Sequence, residues 1–306
     1  MATQTFELLI LGSSAATPTA NRNPTAQLLN IAERFFLIDC GEGTQMQMRK
    51  YKTRFQSINH IFISHLHGDH FLGLPGFIAS MHLLGRKNEL TIYAPKELEE
   101  IISIIHKFSD TQLSYPLKFV HTQTEAKQLL WEDDKVEVYS IPLKHRVPTT
   151  GYLFKEKPLP RNIDKYKLEK LDVSFAEIHK LKQGFDAIDN KGNTIPNKLL
   201  TLEPARQRSY AFCSDTKFFK ALAHDIKDVD LLYHESTFLE DKKERAKQTF
   251  HSTARQAAEM AKLANAGKLL LGHFSARYGN LDEFLEEAKP VFSNAELAVE
   301  GSVFSL

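Results

Sequence analysis

Short apolar runs recur along the chain: Phe6 to Leu11, Phe35 to Ile38, Ile61 to Ser64, Leu90 to Tyr93, Val136 to Ile141, Tyr210 to Cys213, Leu231 to Tyr233 and Leu269 to Leu271. Short apolar runs rich in β-branched and aromatic residues predict strands. Between them the period changes. Pro95 to Phe108 places Leu98, Ile101, Ile102 and Ile105 on one face and predicts an amphipathic helix. Ser252 to Ala264 predicts another, with Ser252 as its N-cap. Strands and helices alternate without an internal repeat, which predicts a layered α/β architecture.

Lys155 to Lys198 breaks this pattern. It has few apolar runs and several Pro and Gly, and Lys155, Lys157, Arg161, Lys165, Lys167, Lys170, Lys180 and Lys182 outnumber the acids nearby. The segment reads as an insertion into a single domain of 306 residues, either a solvated loop or a local basic surface for a polyanion. Composition adds the rest of the frame. With 42% hydrophobic and 25% charged residues the chain has the balance of a soluble folded protein. A net charge of +1 excludes a global basic field, so any nucleic-acid surface has to be local. The two cysteines, Cys40 and Cys213, sit in strand-like sequence, are too few for a disulfide framework and suit a reducing compartment. Met1 to Leu11 has no basic segment and too short an apolar run for a signal peptide, and no stretch approaches a membrane span. A cytoplasmic protein is expected.

Candidate chemistry concentrates in Ile61 to His70, I-F-I-S-H-L-H-G-D-H, where His65, His67, Asp69 and His70 follow an apolar strand within a few residues of one another. Imidazoles and a carboxylate are preferred ligands of zinc and similar divalent ions. His65 and His67 alternate and so face one side of an extended segment, while Gly68 permits a sharp turn that aims Asp69 and His70 at a second ion. His145, Asp215 and His273 each lie just past a predicted strand, and strand ends meet at one edge of a layered sheet structure.

H-x-H-x-D-H, followed in order by a histidine, an acid and a last histidine, resembles the metallo-β-lactamase superfamily. The resemblance narrows to its ribonuclease Z branch through P-T-A-N-R-N (Pro18 to Asn23), L-I-D-C-G-E-G-T-Q (Leu37 to Gln45), C-S-D-T (Cys213 to Thr216), H-E-S-T-F (His234 to Phe238), H-S-T (His251 to Thr253) and G-H-F-S-A-R-Y (Gly272 to Tyr278). These motifs span essentially the whole chain. The resemblance implies a four-layer αββα sandwich with an inserted basic arm, two divalent ions, zinc or manganese, at one edge, and a homodimer. The implied activity is endonucleolytic removal of the 3′ trailer from precursor tRNA. The alternatives are a general phosphodiesterase or 3′ exonuclease of the same fold, and a non-catalytic RNA-binding module.

By the same resemblance His65, His67 and His145 bind one ion, Asp69, His70 and His273 the other, and Asp215 bridges them. Asp69 is the expected general base. His251, oriented by Glu235, is either the general acid or a phosphate ligand, since a helix start carrying Ser252 and Thr253 attracts anions in any case. Arg277 either contacts a phosphate or braces the structure through a carboxylate. Lys165 and Lys167 are the expected RNA contacts of the arm. One departure is plain: where the family's arm carries a Gly-Pro-rich tip, Leu171 to Lys180 reads L-D-V-S-F-A-E-I-H-K. His60, His82, His106, His121, His179 and His224 belong to no motif and are read as structural or surface residues.

Overall fold

The computed structural model describes residues 4–169, 171 and 173–306; Lys170 of the basic insertion lies outside them. The strands of the main body are β1 (Phe6–Gly12), β2 (Ala26–Ile31), β3 (Arg34–Cys40), β4 (Ile58–Phe62), β5 (Leu90–Ala94), β6 (Leu117–His121), β7 (Gln128–Glu132), β8 (Val136–Pro142), β9 (Thr150–Glu156), β10 (Ser209–Cys213), β11 (Leu231–Glu235), β12 (Lys268–Gly272), β13 (Ala295–Leu297) and β14 (Val303–Ser305). They form two seven-stranded sheets, ordered β14-β1-β2-β3-β4-β5-β6 and β13-β12-β11-β10-β9-β8-β7.

The period of two along each strand explains how the sheets stack. In β3, Phe36 and Ile38 point into a core shared with Tyr210 and Phe212 of β10, while Leu37 faces the other way; past Asp39, whose φ is 54°, the alternation breaks and Cys40 joins Leu37. Ala211 and Cys213 of β10 likewise turn outward. Helices α1 (Gly68–Phe71), α2 (Leu74–Leu83) and α3 (Glu97–Phe108) cover the outer face of the first sheet. Helices α4 (Lys243–Thr249), α5 (Ala254–Leu263) and α6 (Asp282–Ala288) belong to the second half, and α5 and α6 cover the outer face of its sheet. The result is an αββα sandwich whose middle layer is aromatic, with Phe62 stacked on Tyr93 at 4.4 Å and Phe212 on Tyr233 at 5.0 Å.

Several boundaries differ from the expected ones. The fourth strand ends at Phe62, and Ile63 and Ser64 already belong to the loop that carries the histidines. Gly68 opens α1 and makes no left-handed turn. The N-cap of α5 is Thr253, one residue beyond Ser252, in a capping box with Gln256. Strand β2 gave no apolar-run signal because Gln27 points inward, where its Oε1 accepts from the Tyr210 hydroxyl.

Residues 156–207 form a second compact unit. It starts after Lys155, which belongs to β9, and runs past Lys198. Leu181, Ala187 and Leu200 make a small core of its own, and Asp164 and Ser174 cap its first two helices, Lys165–Leu168 and Phe175–Lys182. Lys155 in β9 is the register partner of Ser209 in β10, so the chain leaves and re-enters the body at adjacent positions.

His60 of β4 sits at the margin of the aromatic layer, 4.7 Å from the Trp131 ring and 5.8 Å from Phe36, with Nδ1 3.3 Å from the Tyr93 hydroxyl. Burial pulls this imidazole down to about 4, with Asp133 opposing and Arg86 assisting. The unfolded chain takes up the proton near pH 6.5 while the folded chain does not, so the fold loses stability as pH falls from about 6.5 to about 4. Denaturant titrations of His60→Gln should show a flatter acid limb, by at most roughly 3 kcal/mol. Identical pH slopes in parent and variant would remove His60 from the acid limb.

Candidate metal centre

Parallel pairing fixes where the chemistry collects. Cys213 of β10, His234 of β11 and Leu271 of β12 lie at one level, so Asp215 and His273, each two residues further on, emerge together past the carboxyl ends. In the other sheet β3 and β4 are parallel, and their ends deliver Asp39 and the His65–His70 loop. Gly41 and Gly73 let these two loops touch: a Cβ at Gly41 would lie 2.5 Å from the Asp69 carbonyl oxygen, and one at Gly73 would lie 2.1 Å from that of Gly41.

The seven expected ligands come together in two groups. Ligand atoms of His65, His67, His145 and Asp215 lie within 4.8 Å of one another, and so do those of Asp69, His70 and His273. Asp215 divides its oxygens between them. Its Oδ2 faces His65 Nε2 at 3.5 Å and His145 Nε2 at 3.7 Å; its Oδ1 faces His70 Nε2 at 3.5 Å and His273 Nε2 at 3.1 Å.

The orientation of each imidazole has a cause. His70 gives Nδ1–H to Asp39 Oδ2 at 2.7 Å, His145 gives Nδ1–H to the Phe250 carbonyl at 3.0 Å, and His273 gives Nδ1–H to Thr237 Oγ1 at 3.0 Å. His65 Nδ1 meets Ser64 Oγ at 3.0 Å, and that hydroxyl in turn donates to Asp39 Oδ2. Each of the four rings therefore keeps Nε2 for the centre. His67 turns Nδ1 inward, 3.0 Å from His65 Nε2.

Such a set fits divalent cations. Burial pulls His65, His67 and His145 below the usual histidine range, which leaves neutral imidazoles with lone pairs facing each other. Asp215 Oδ1 is buried without a hydrogen-bond donor. Against the upward push of burial, the charge of His70 and hydrogen bonds from His273 and His70 hold Asp69 well below the carboxylate range. His70 shows the converse: burial pulls it down, but Asp69, Asp215 and Asp39 push it well above the histidine range. A cation at the same ligands supplies the positive charge that these carboxylates otherwise draw from a proton.

A second pair stands over the same space. Glu235 Oε1 accepts from His251 Nδ1 at 3.0 Å. The carboxylate is fully buried and takes further bonds from the Thr216, Thr237 and Ser252 amides, so it is fixed as an anion. Burial lowers His251, but the charges of Glu235 and Asp215 outweigh it and raise the ring to about 9. The His251 ring stacks on His273 at 5.6 Å and lies tilted to His145 at 5.0 Å.

A cavity of about 490 Å³ opens on this centre, lined by Asp69, Asp215, His251, His273 and Arg277 among others. Arg277 does not brace a carboxylate: its Nε donates to Ser275 Oγ and its guanidinium lies 5.1 Å from the Phe238 ring centroid. Ser252 and Thr253 are not phosphate contacts. Both are fully buried; the Ser252 hydroxyl donates to the Thr216 carbonyl, and the Thr253 hydroxyl donates to Glu240 and accepts from the Gln256 amide. Lys165 and Lys167 lie in the 156–207 unit, where Lys167 pairs with Asp164 at 3.2 Å. Sequence reasoning quoted the motif containing Asp39 without giving that residue a role, and it missed Ser64 and Thr237. An acid closing an apolar strand beside a ligand motif was the available signal for Asp39.

A sandwich of this topology with histidine and aspartate ligands converging at one edge is a metallo-β-lactamase fold. The crystal structure of YhfI, a protein of that fold from Bacillus subtilis, superposes with a TM-score of 0.69 at 18% identity over 99% of this chain and 100% of that one. A family model described as anti-Pycsar protein Apyc1 matches residues 6–288. Ribonuclease Z of Cytophaga hutchinsonii is 50% identical over 98% of this chain and 96% of its own length, and that of Parabacteroides distasonis is 43% identical over 98% and 99%. Human tRNase Z, short form, has a TM-score of 0.69 and 26% identity over 98% of each chain. The chain belongs to the family that this model describes, and its near-full-length relatives make it a member of the ribonuclease Z family.

The Asp39 bond to His70 generates a prediction. Asp39→Asn keeps size, and asparagine tolerates the left-handed backbone found there, φ 54°. Zinc titration of the variant should show one site weakened about 10- to 100-fold, the usual effect of removing such a partner, with the fold retained. Two unchanged affinities would mean that Asp39 does not orient the ligand.

Proposed function

We propose that this chain hydrolyses precursor tRNA at the junction with its 3′ trailer, leaving a 3′-hydroxyl on the tRNA and a 5′-phosphate on the trailer. The observation that carries the reading is the opening of one cavity onto both the two ligand groups and the Glu235–His251 pair. His65, His67 and His145 would hold one ion, Asp69, His70 and His273 the other, with Asp215 on both. Two bound divalent ions supply Lewis acidity toward a phosphodiester and lower the pKa of water. Asp69 orients the attacking water and takes its proton; its Oδ2 is held in place by the Ala16 amide at 2.7 Å. His251 gives a proton to the departing 3′ oxygen, and Glu235 keeps the ring aligned and compensates its charge.

Zinc is the ion assigned here, with manganese the alternative that elemental analysis separates. No helix among the described residues is long and apolar enough to cross a membrane, and both cysteines are buried free thiols, which supports placement in the cytoplasm. A homodimer is part of the same proposal and is tested by sedimentation. The 156–207 unit acts as the arm that binds tRNA. Tyr166, Phe175 and Phe185, 71%, 87% and 62% exposed, stand among its lysines and offer stacking surfaces in place of a Gly-Pro tip.

Incubation with end-labelled precursor tRNA should release one discrete trailer, and chelator should abolish it. Stepwise shortening from the 3′ end would give the exonuclease reading, and hydrolysis of small diesters alone the general phosphodiesterase. Asp69→Ala should lose at least about 10³-fold in kcat while still binding RNA, because affinity rests on phosphate contacts elsewhere. Parental turnover in that variant would end the general-base assignment.

Acid and phosphate-ligand roles for His251 separate on leaving groups. An aryl oxide departs without a proton and a ribose 3′ oxygen does not. His251→Ala should therefore lose about 10²- to 10⁴-fold on RNA and far less on a p-nitrophenyl diester. Equal losses would make His251 a phosphate ligand.

For the arm, replacing residues 157–207 with a short turn uses the adjacency of Lys155 and Ser209. The shortened chain should keep its metals and its small-diester hydrolysis, and bind precursor tRNA more weakly with a shallower salt dependence. Unchanged RNA affinity would make the unit inert in binding.

A further inference from the structure

Three guanidinium groups line the catalytic cavity, those of Arg146, Arg245 and Arg277. Arg146 directly follows His145, and its charge is felt at His67, which sets it beside the His65, His67 and His145 group. Arg245 lies on α4 one turn before Thr249, which lines the same cavity, and this helix ends at Phe250, whose carbonyl holds His145. Arg277 stands past the other group, against Phe238 and Ser275 just beyond His273.

Other arginines of the body spend their donors on protein. Arg22 donates to the Tyr278 and Ser275 carbonyls, Arg34 pairs with Asp133 and Asp134, and Arg86 donates to the Ile58, Asn88 and Glu89 carbonyls. Among the described residues, Arg146 and Arg245 make no ion pair and no side-chain hydrogen bond within the protein. Both line one cavity as unpaired cations, and a net charge of +1 for the whole chain makes their concentration here a local feature. A nucleic-acid strand carries one phosphate per nucleotide, so the scissile phosphate has charged neighbours.

We propose that Arg146 and Arg245 form a second phosphate subsite, gripping the substrate phosphate next to the scissile one on the His145 side of the centre. It rests on the phosphodiester reading above. Planar guanidinium forks suit a phosphate that is held and not cleaved. The subsite makes the cavity discriminate by length, favouring a strand over a lone diester.

The test compares Arg146→Ala, Arg245→Ala and the double variant with the parent on precursor tRNA and on bis(p-nitrophenyl) phosphate. A third measurement follows anisotropy of a fluorescein-labelled phosphorothioate tetraribonucleotide, which resists cleavage, across a salt series with the ions left in place. In the double variant KM for precursor tRNA should rise about 10- to 100-fold, and this loss should exceed the loss on the chromogenic diester at least about tenfold. The slope of log affinity against log salt should fall by about 1.4, near 0.7 for each lost charge, and Arg→Lys substitutions should restore it. Arg255→Ala, whose guanidinium pairs with Glu259 on α5, controls for loss of surface charge and should change none of these. Equal losses on tRNA and on the small diester, or an unchanged salt slope, would overturn the subsite. A parent that hydrolyses the diester but releases no trailer would sink the tRNA reading, and the salt slope would then decide the subsite alone.

Discussion

Asp39, Asp69, Asp215 and Glu235 bring four carboxylates into or beside the interior, against the imidazoles of His65, His67, His70, His145, His251 and His273. Anions taken out of water cost several kcal/mol each unless compensated, and no lysine or arginine side chain pairs with any of these four among the described residues. The balance falls to backbone amides and to the histidines, and a histidine that lies too deep to charge, such as His65, cannot contribute. Divalent cations at the two ligand groups would resolve the conflict, since they would let the ligand imidazoles stay neutral while the carboxylates stay ionised and His251 keeps its proton. The sandwich around this edge is the scaffold that keeps the ligands from relaxing apart.

The scaffold was legible where physics is local. Apolar runs marked β1, β3, β5, β8, β10, β11 and β12 because most of their residues enter the core. Strand β2 hid behind Gln27, β6 and β7 lie at sheet edges and are only partly buried, and β9 begins with Thr and Gly. The ligand set was legible because each member closes a strand or follows one. Its supports were not, since a bond from His145 to the Phe250 carbonyl, 105 residues away, leaves no trace in either residue's type. Ser252 and Thr253 misled for a related reason: a Ser-Thr pair before a helix looks the same whether its hydroxyls face solvent or, as here, the interior.

Strain gathers at the same edge. Asp39, Phe250 and His273 all adopt left-handed backbone conformations, φ 54°, 59° and 58°, and a Phe in that region is costly. All three sit where a carbonyl, a carboxylate or a ring must point at the centre. The two sheets and their three apolar clusters hold these residues against local preference, which a loop of the same sequence could not do alone.

One pairing joins segments that lie far apart in the sequence. β14 is hydrogen-bonded to β1, and Glu300 takes bonds from Asn23 and Gln47, so the first strand and the loop after it are locked by the last few residues. His273 directly follows β12, so a chain cut before that strand has Asp69 and His70 without their third partner. A chain cut between β13 and β14 keeps that group and loses the clasp on β1. Proteolysis at that connection would therefore free an edge strand while leaving every proposed ligand in the chain.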